Sequence, residues 1–317
     1  MNITLKAAAE LLKQKDKIYI LSHHYPDGDT LGSASALCMA LQKMGKQVRC
    51  LCEDEISKRY AYLFAEIIPM EFEPEFIVSV DVAAMNLLGV LQEPYENKID
   101  LCIDHHASNS MTAKALYVDS NAAATCEIIC KLIQFMEVEI DSQIATCIYT
   151  GISTDTGCFR YPNATAQSYR IAADMIEAGA NAAEINRLMF DTKSRARMEM
   201  ERSVMDTMEF FCAGKCGTIC ISRKMIEQTG AQEGDLEGLS SLPRQVEGVM
   251  VGITFRERRD GGYKISLRTQ PPIDASVICS QFGGGGHKGA AGCTILEPLA
   301  TAKEKLVNAV ENYLKTI

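Results

Sequence analysis

The stretch KIYILSHHYPDGD, residues 17–29, decides the fold of the N-terminal half. Residues 17–22 form a short and almost uniformly apolar run, which predicts a buried strand. Residues 30–44 are rich in alanine and leucine and predict a helix that Gly45 would end. A strand, a loop and a helix in this order begin a βαβ unit, and the loop between them carries two histidines and two aspartates.

The same alternation continues through the first half of the chain. Further strands are predicted at residues 47–52, 76–80 and 99–103, and further helices at residues 3–15, 122–136, 141–152 and 165–178. Short apolar strands separated by helical patterns favour a mostly parallel sheet flanked by helices. The fold class is therefore α/β.

The second half has a different pattern. Residues 184–211 contain no glycine or proline and are dense in charge, so we predict a helix over most of this segment. Strands at 217–222, 246–255 and 263–268, a hairpin turn at 258–262 and a final helix at 300–314 predict a smaller α/β domain with a mixed sheet. We expect a first domain at 1–190, a helical connection at 191–212 and a second domain at 213–317. A packed helix of the first domain is the alternative for 184–211.

Composition excludes several classes of protein. The 317 residues are 47% hydrophobic and 23% charged, and no stretch approaches the roughly 20 apolar residues of a membrane helix. The net charge of −9 argues against binding long duplex nucleic acid, which needs a basic surface. The 13 cysteines lie in apolar runs without a secretory signal, which indicates reduced thiols in a cytoplasmic protein.

Acidic and imidazole side chains follow the predicted strands of the first half. They are His23, Asp27 and Asp29 after the first strand, Asp81 after 76–80, Asp104, His105 and His106 after 99–103, and Asp155 after the helix at 141–152. Ligands of open α/β sheets bind beyond the carboxyl ends of the strands, so these side chains should converge. Crowded carboxylates repel one another unless cations lie between them, and oxygen and imidazole ligands suit Mn²⁺ or Mg²⁺.

Each element alone has an ordinary explanation. An Asp-Gly-Asp sequence is most often a turn, an aspartate after a strand is commonly a helix cap, and paired histidines are often only surface residues. Four such elements in one predicted domain are hard to explain as caps. We therefore favour a metal site.

These residues resemble the motifs of the DHH phosphoesterase superfamily. The motifs are His23-x-x-x-Asp27-x-Asp29, Asp81, the triplet Asp104-His105-His106, and Asp155. The run from Gly283 to Gly292, with His287 after four glycines, resembles the DHHA1 domain that accompanies this family. The resemblance covers nearly the whole chain, and its motifs occur in the expected order.

The resemblance implies a role for each residue of the metal site. One ion would be held by His23, Asp27 and Asp81, and the other by Asp29, Asp81, His105 and Asp155, with Asp81 shared. The two ions are most consistent with Mn²⁺, with Mg²⁺ or Co²⁺ as alternatives. A water between them would lose a proton and attack phosphorus. His106 would contact the scissile phosphate, and Asp104 would orient a histidine ligand.

The resemblance also implies that the second domain binds the substrate. Gly284, Gly285 and Gly286 would let backbone N–H groups approach a phosphate, and His287 would contact the substrate. Arg268 would clamp a second phosphate, with a solvated strand-end charge as the alternative. The active site would lie in the cleft between the domains, which would open and close around the substrate.

The most similar type within the superfamily degrades short RNA oligonucleotides (nanoRNA) and dephosphorylates 3′-phosphoadenosine 5′-phosphate. We therefore expect a cytoplasmic, metal-dependent phosphoesterase acting on such small phosphonucleotides. A phosphodiesterase for linear or cyclic dinucleotides such as pApA or cyclic-di-AMP is one alternative, and an inactive nucleotide-binding regulator is another. Neither the preferred substrate nor dimerisation follows from the sequence, and a homodimer stays an open alternative.

Overall fold

The apolar runs of the N-terminal half form a fully parallel sheet in a computed structural model of the chain. The structure describes residues 1–53, 56–236 and 238–316, and the chain divides into two compact units, Met1–Thr192 and Lys193–Ile317. The sheet of the first unit has the order β2-β1-β3-β4-β5. Its strands are β1 (Ile18–Leu21), β2 (Val48–Leu51), β3 (Phe76–Val80), β4 (Leu101–Asp104) and β5 (Ala115–Val118). The predicted parallel α/β sheet is confirmed, with β5 as an edge strand that the pattern did not predict.

Helices and short turns cover both faces of this sheet. The α-helices are α1 (Leu5–Lys13), α2 (Gly28–Lys43), α3 (Gln92–Tyr95), α4 (Thr125–Phe135), α5 (Ser142–Asp155), α6 (Ala166–Glu177) and α7 (Ala182–Asn186). One face packs against α1, α2, α4, α5 and α6 in the main hydrophobic core. The other face packs mainly against the 3-10 segment Met85–Leu91 and against α3. Helix α2 is buried along almost its whole length, which its small alanine, glycine and serine side chains allow.

The second unit contains a mixed six-stranded sheet in the order β10-β11-β9-β8-β7-β6. Its strands are β6 (Glu209–Phe211), β7 (Cys216–Ile221), β8 (Val251–Glu257), β9 (Tyr263–Thr269), β10 (Gly285–His287) and β11 (Ala290–Ile295). Its helices are α8 (Arg195–Met205), α9 (Arg223–Thr229), α10 (Glu233–Leu236), α11 (Ala275–Ser280) and α12 (Leu299–Leu314). Only β7 and β8 pair in parallel, and the predicted hairpin at 258–262 joins β8 to β9.

Residues 184–211 are helical over most of their length, as predicted, but they do not form one continuous helix. Helix α7 is followed by the π-helical turn Arg187–Asp191, and Thr192 is extended. Ser194 then begins α8, because its hydroxyl accepts a hydrogen bond from the N–H of Arg197 at 2.9 Å. Residues Glu209–Phe211 form a strand with β7, since sheet pairing satisfies their backbone groups and suits the two phenylalanines.

No helix in the described part of the chain is both long enough and apolar enough to cross a lipid bilayer.

Candidate metal centre

The strand order of the first unit brings three chain segments to one edge of the sheet. Strands β1, β3 and β4 are neighbours, and Leu21 of β1 pairs with Ser79 of β3. Because the strands are parallel, the residues that follow them leave the sheet at the same edge. His23 and Asp81 follow β1 and β3, and His105 follows β4.

Two carboxylates of the first loop are held by helix N-termini. Asp27 caps α2, since its Oδ1 accepts hydrogen bonds from the N–H groups of Asp29 (3.0 Å) and Thr30 (3.1 Å). Asp29 is buried, and its two oxygens accept from the first two N–H groups of α4, at Thr125 (2.6 Å) and Cys126 (2.9 Å). These N–H groups have no partner within the helix, so the carboxylate both satisfies them and is fixed by them.

Glycines allow the helices that carry these ligands to approach one another closely. A β-carbon at Gly28 of α2 would overlap the side chain of Thr154 in α5. A β-carbon at Gly151 of α5 would overlap the sulfur of Cys126 and lie 2.8 Å from Oδ1 of Asp29. The first turn of α2 therefore lies against the last turn of α5, which ends in Asp155.

His23 and His105 both direct Nε2 toward the carboxylates. Nδ1 of His23 lies 2.7 Å from the carbonyl oxygen of His24, and Nδ1 of His105 lies 3.1 Å from that of Ala122. A carbonyl oxygen can only accept, so in each neutral ring Nδ1 carries the proton and Nε2 offers a lone pair. Nε2 of His23 and Nε2 of His105 each lie 3.7 Å from a different oxygen of Asp81.

The predicted ligands form three overlapping groups. His23, Asp27 and Asp81 make one group, Asp29, His105 and Asp155 a second, and Asp81, His105 and His106 a third. Within each group the potential ligand atoms lie within 4.8 Å of one another. The structure thus brings together all six residues that the sequence proposed as metal ligands, with Asp81 between the two histidines.

Asp81 has an unusual backbone conformation at the centre of these groups. Its φ is 58°, in the left-handed region that aspartate tolerates but seldom adopts. The hydroxyl of Thr125 donates to its Oδ1 at 2.9 Å. Strained backbone of this kind concentrates at functional sites, where the surrounding contacts hold it.

Burial and mutual repulsion raise the pKa values of the carboxyl groups of Asp29, Asp81 and Asp155. Burial, and then the charges of Asp29 and Asp27, raises the pKa of Asp81 well above its usual range. Burial also raises the pKa of Asp29, and burial with the charge of Asp29 raises the pKa of Asp155 to about 8. The folded chain therefore concentrates acidic groups at a place where water stabilises their charged forms poorly, and a bound cation would offset the cost of ionising them.

The donor set fits a divalent cation. Among the residues that the structure describes, the ion pairs of Asp27, Asp29, Asp81 and Asp155 all involve histidine. The Nε2–oxygen distances of 3.7–3.9 Å are too long for hydrogen bonds, but two ligands of one ion can lie this far apart. Carboxylate oxygens with imidazole and without thiolate suit Mn²⁺ and Mg²⁺.

Asp104 and His106 form a separate hydrogen-bonded pair beside the ligands. Asp104 is fully buried, and its Oδ1 accepts from Nδ1 of His106 at 2.8 Å and from the N–H of His105 at 2.8 Å. Asp104 thus orients the ring of His106, whereas the ring of His105 is oriented by Ala122. The hydrogen bond to Asp104 raises the pKa of His106. Burial alone would raise the pKa of Asp104, but its hydrogen bonds from His106 and Asn109 keep that pKa low.

Two supporting residues were not found from the sequence. Asn109 donates from Nδ2 to Oδ2 of Asp104 at 2.6 Å, and Thr125 contacts both Asp29 and Asp81. The helix prediction began at residue 122, whereas α4 begins at Thr125. A threonine near a predicted helix start is a capping signal that indicates the boundary but not its carboxylate partners.

In the second unit, Arg268 and His287 lie on one face of the sheet. Both residues pair with Ala290, Arg268 from β9 and His287 from β10. Directly paired residues project to the same face, and two strand spacings separate their backbones by about 10 Å. His287 is exposed, and Arg268 is half-buried with its guanidinium donating to the carbonyl of Leu267 at 3.0 Å.

The glycines before His287 have two different environments. A β-carbon at Gly286, which has φ 144°, would lie 2.6 Å from the carbonyl oxygen of Ala290. A β-carbon at Gly284 would overlap the carbonyl oxygen of Gly292. These two glycines are therefore required for the close pairing of this segment with β11. Gly285 has open space at its β-carbon position, so its backbone is accessible.

Two family descriptions match the chain. Residues 17–152 match the DHH family, N-terminal domain, and residues 217–316 match the DHHA1 domain. The chain is also 33% identical over 314 residues to a protein of Thermus thermophilus named "Bifunctional oligoribonuclease and PAP phosphatase NrnA". That alignment covers 98% of this chain and 94% of the relative.

Solved structures share the fold. A Bacteroides fragilis protein described as exopolyphosphatase-related has a TM-score of 0.88 at 24% identity, covering 98% of this chain and 96% of that one. The exonuclease RecJ bound to manganese has a TM-score of 0.57 at 16% identity, covering 97% of this chain and 94% of that one.

Proposed function

This chain belongs to the DHH family, and on that basis we propose that it is a two-metal phosphoesterase acting on short oligoribonucleotides and on 3′-phosphoadenosine 5′-phosphate. One observation carries the proposal: the two oxygens of Asp81 each face an unprotonated imidazole nitrogen at 3.7 Å. A carboxylate in this position suits a bridge between two cations. The NrnA relative, whose name gives both substrates, supports the choice of substrate.

We assign the two ions to the ligand sets that share Asp81. His23 and Asp27 would complete one set, and Asp29, His105 and Asp155 would complete the other. Mn²⁺ is the ion that we propose, since the donor set suits it and RecJ, which shares the fold, was solved with manganese. When bound, such ions lower the pKa of water and offset charge on a phosphoryl group.

His106 is the residue that we propose to contact the scissile phosphate. Its Nδ1 proton is held by Asp104 at 2.8 Å, so Nε2 is the nitrogen that faces a ligand. The hydrogen bond to Asp104 also favours the imidazolium form, which donates a charge-assisted hydrogen bond to a phosphate oxygen. Asp104, held in turn by Asn109, is a positioning residue.

In the second unit we propose that Arg268 and His287 bind the rest of the substrate. They lie on one sheet face with only the methyl group of Ala290 between them, a spacing that suits two points of contact on one nucleotide. Gly285 would offer its accessible backbone to a phosphate, and Gly284 and Gly286 would shape that segment through their pairing with β11.

The surroundings in which the enzyme works are also part of the proposal. None of the thirteen cysteines, all of which lie in the described residues, is joined in a disulfide, which fits a reducing compartment such as the cytoplasm. The net charge of −9 favours small phosphonucleotides over long duplexes, because tight binding of a duplex needs a basic surface that contacts many phosphates at once.

An activity panel tests the proposal. The protein is stripped of metal, reloaded with Mn²⁺, Mg²⁺ or Co²⁺, and assayed on 3′-phosphoadenosine 5′-phosphate, pApA, cyclic-di-AMP, a 24-nucleotide RNA and pyrophosphate. We expect Mn²⁺-dependent release of phosphate from the bisphosphate and of mononucleotide from the dinucleotide, with little activity on long RNA. Turnover of cyclic-di-AMP alone would favour the dinucleotide phosphodiesterase alternative.

A variant of the shared ligand and a matched control test the catalytic assignment. Asp81→Asn should remove activity on every substrate by more than roughly 1000-fold, since it weakens both ion sites. Glu137→Gln, at an exposed carboxylate after the far end of α4, should leave activity unchanged. Wild-type rates in Asp81→Asn would reject the catalytic assignment, and binding of nucleotide without turnover by wild type would favour the regulator.

A further inference from the structure

The side-chain amide of Asn163 joins two chain segments that position proposed metal ligands. Its Nδ2 donates to the main-chain carbonyl of Ala123 at 3.1 Å and to that of Asp155 at 3.2 Å. A carbonyl oxygen can only accept, so the nitrogen of the amide faces both partners, and its two hydrogens serve one carbonyl each. One side chain thus bridges the segment before α4 and the end of α5.

Ala123 lies between two contacts that orient proposed ligands. The carbonyl of Ala122 accepts from Nδ1 of His105 at 3.1 Å, and the N–H of Thr125 donates to Asp29 at 2.6 Å. Both contacts are made within two positions of Ala123 in the chain, so a displacement of this segment would disturb them together. The amide that holds Ala123 therefore acts on the backbone that orients both ligands.

The chain folds back on itself between Asp155 and Asn163. Gly157, Cys158 and Phe159 have φ values of 56°, 58° and 60°, and only the glycine adopts this left-handed region freely. Strained conformations of this kind persist where the surrounding contacts hold them. Here they return the chain to the end of α5, where the amide of Asn163 meets one of the last carbonyls of the helix.

We propose that Asn163 is a positioning residue for the ion that Asp29, His105 and Asp155 would hold. The inference rests on the proposed function, since it requires the assignment of two ions. The other ion would be held chiefly by ligands of the loop between β1 and α2, and the start of α2 fixes that loop through the cap at Asp27. Loss of the amide should therefore weaken one ion site and spare the other.

Titration of the metal-free protein with Mn²⁺ tests this role. Free Mn²⁺ is followed by electron paramagnetic resonance, which counts the bound ions and gives the dissociation constant of each. Wild type should bind two ions. Asn163→Ala should weaken one of them by roughly 10-fold, the scale for loss of a residue that orients ligands, and should leave the other within about twofold of wild type.

Rescue by the ion gives a second readout. At limiting Mn²⁺, Asn163→Ala should lose activity on 3′-phosphoadenosine 5′-phosphate by roughly 10-fold, in line with its weaker ion site. Saturating Mn²⁺ should restore kcat to within about threefold of wild type, because a positioning residue acts through the ion and not on the substrate.

Two further variants separate the hydrogen bonds of the amide from damage to the fold. Asn163→Asp keeps the shape of the side chain but replaces the donor by a carboxylate, which is ionised at pH 8 at this exposed position, so the same ion should be weakened at least as much. Asn181→Ala is the matched control. Asn181 caps α7 by accepting from the N–H of Glu184 at 3.1 Å, and nearby Gly179 lies against Ser142 at the start of α5. Its loss should lower Tm and leave both Mn²⁺ affinities unchanged.

Several results would overturn the proposal. It is wrong if Asn163→Asp binds both ions as wild type does, if Asn163→Ala weakens both ions equally, or if saturating Mn²⁺ leaves kcat low. Binding of fewer than two ions by wild type would reject the two-ion assignment of the proposed function, and the positioning role would fall with it. Two ions in wild type with unchanged affinities in both Asn163 variants refute the positioning role alone.

Discussion

Replacing Asp155 by asparagine should change how the stability of the metal-free protein depends on pH. Asp155 is the last residue of α5, and its Oδ2 lies 3.7 Å from Nε2 of His105. A carboxylate at the C-terminus of a helix also meets the negative end of the helix dipole. Asparagine keeps the shape of the side chain and removes its charge.

The size of the effect follows from the shifted pKa. Burial first, and then the charge of Asp29, raises the pKa of Asp155 from 3.8 to about 8. An acid with a raised folded pKa contributes its full stability below the unfolded pKa and loses it as the pH rises through the folded value. Between pH 5 and pH 7 the loss is at most about 2.7 kcal/mol. Solvent screening at a side chain that is 30% exposed reduces our expectation to about 1–2 kcal/mol.

Denaturant unfolding in EDTA measures this loss directly. The free energy of unfolding of the wild-type protein should fall from pH 5 to pH 7. In Asp155→Asn this fall should be smaller by about 1–2 kcal/mol, which corresponds to roughly 2–8 °C in Tm for a unit of this size. Adding Mn²⁺ at pH 7 should stabilise wild type far more than the variant, because one ligand of the ion is gone.

Two results would refute this reasoning. An unchanged pH slope in Asp155→Asn would mean that the pKa of Asp155 is not raised in the folded protein. Equal stabilisation of both proteins by Mn²⁺ would mean that Asp155 is not a ligand. Glu137→Gln, which removes an exposed carboxylate, should keep the wild-type slope and serves as the control.

Three further substitutions test the supporting contacts. Asn109→Ala removes a hydrogen-bond donor to Asp104 and should lower kcat by roughly 10-fold, because His106 is then less well oriented. Mn²⁺ affinity should stay unchanged, and a parallel fall in that affinity would contradict this role. Thr125→Val leaves Asp81 without its hydroxyl donor and should weaken Mn²⁺ binding about 10-fold. Thr125→Ser keeps the hydroxyl and should bind Mn²⁺ as wild type does. Equal Mn²⁺ affinity in the two variants would argue against a role for the hydrogen bond. Gly151→Ala places a methyl group against the buried sulfur of Cys126 and should lower the free energy of unfolding by about 2–3 kcal/mol, measured with denaturant. Wild-type stability in this variant would show that α5 can shift without cost.

The sequence predicted the parts of the site that depend on strand ends. Residues such as Asp81 and His105 follow apolar runs, and parallel strands bring their carboxyl ends to one edge whatever the details of the loops. The proximity of the six proposed ligands was therefore predictable without coordinates, and the structure brings these six residues together.

The parts that depend on contacts between distant segments were not predictable. Asn109 and Thr125 are joined to Asp104 and Asp81 by geometry that arises only when β4 and α4 pack together. The helical segment predicted at 184–211 is interrupted and ends early for a related reason. Helical propensity favours one long helix there, but the cap at Ser194 and sheet pairing with β7 are stronger.

The close contact between α2 and α5 has a consequence for the size of ion that the centre accepts. Asp29 and Asp155 stand on these two helices, and hydrogen bonds from the N–H groups of Thr125 and Cys126 hold the carboxylate of Asp29 in one orientation. Under the proposed assignment, a larger ion such as Ca²⁺, with bonds of about 2.3–2.6 Å, would need a wider spacing of the two carboxylates than Mg²⁺, which needs only about 2.0–2.1 Å. Selection by ionic radius would then be set by the separation of two helix axes rather than by the chemistry of the donors.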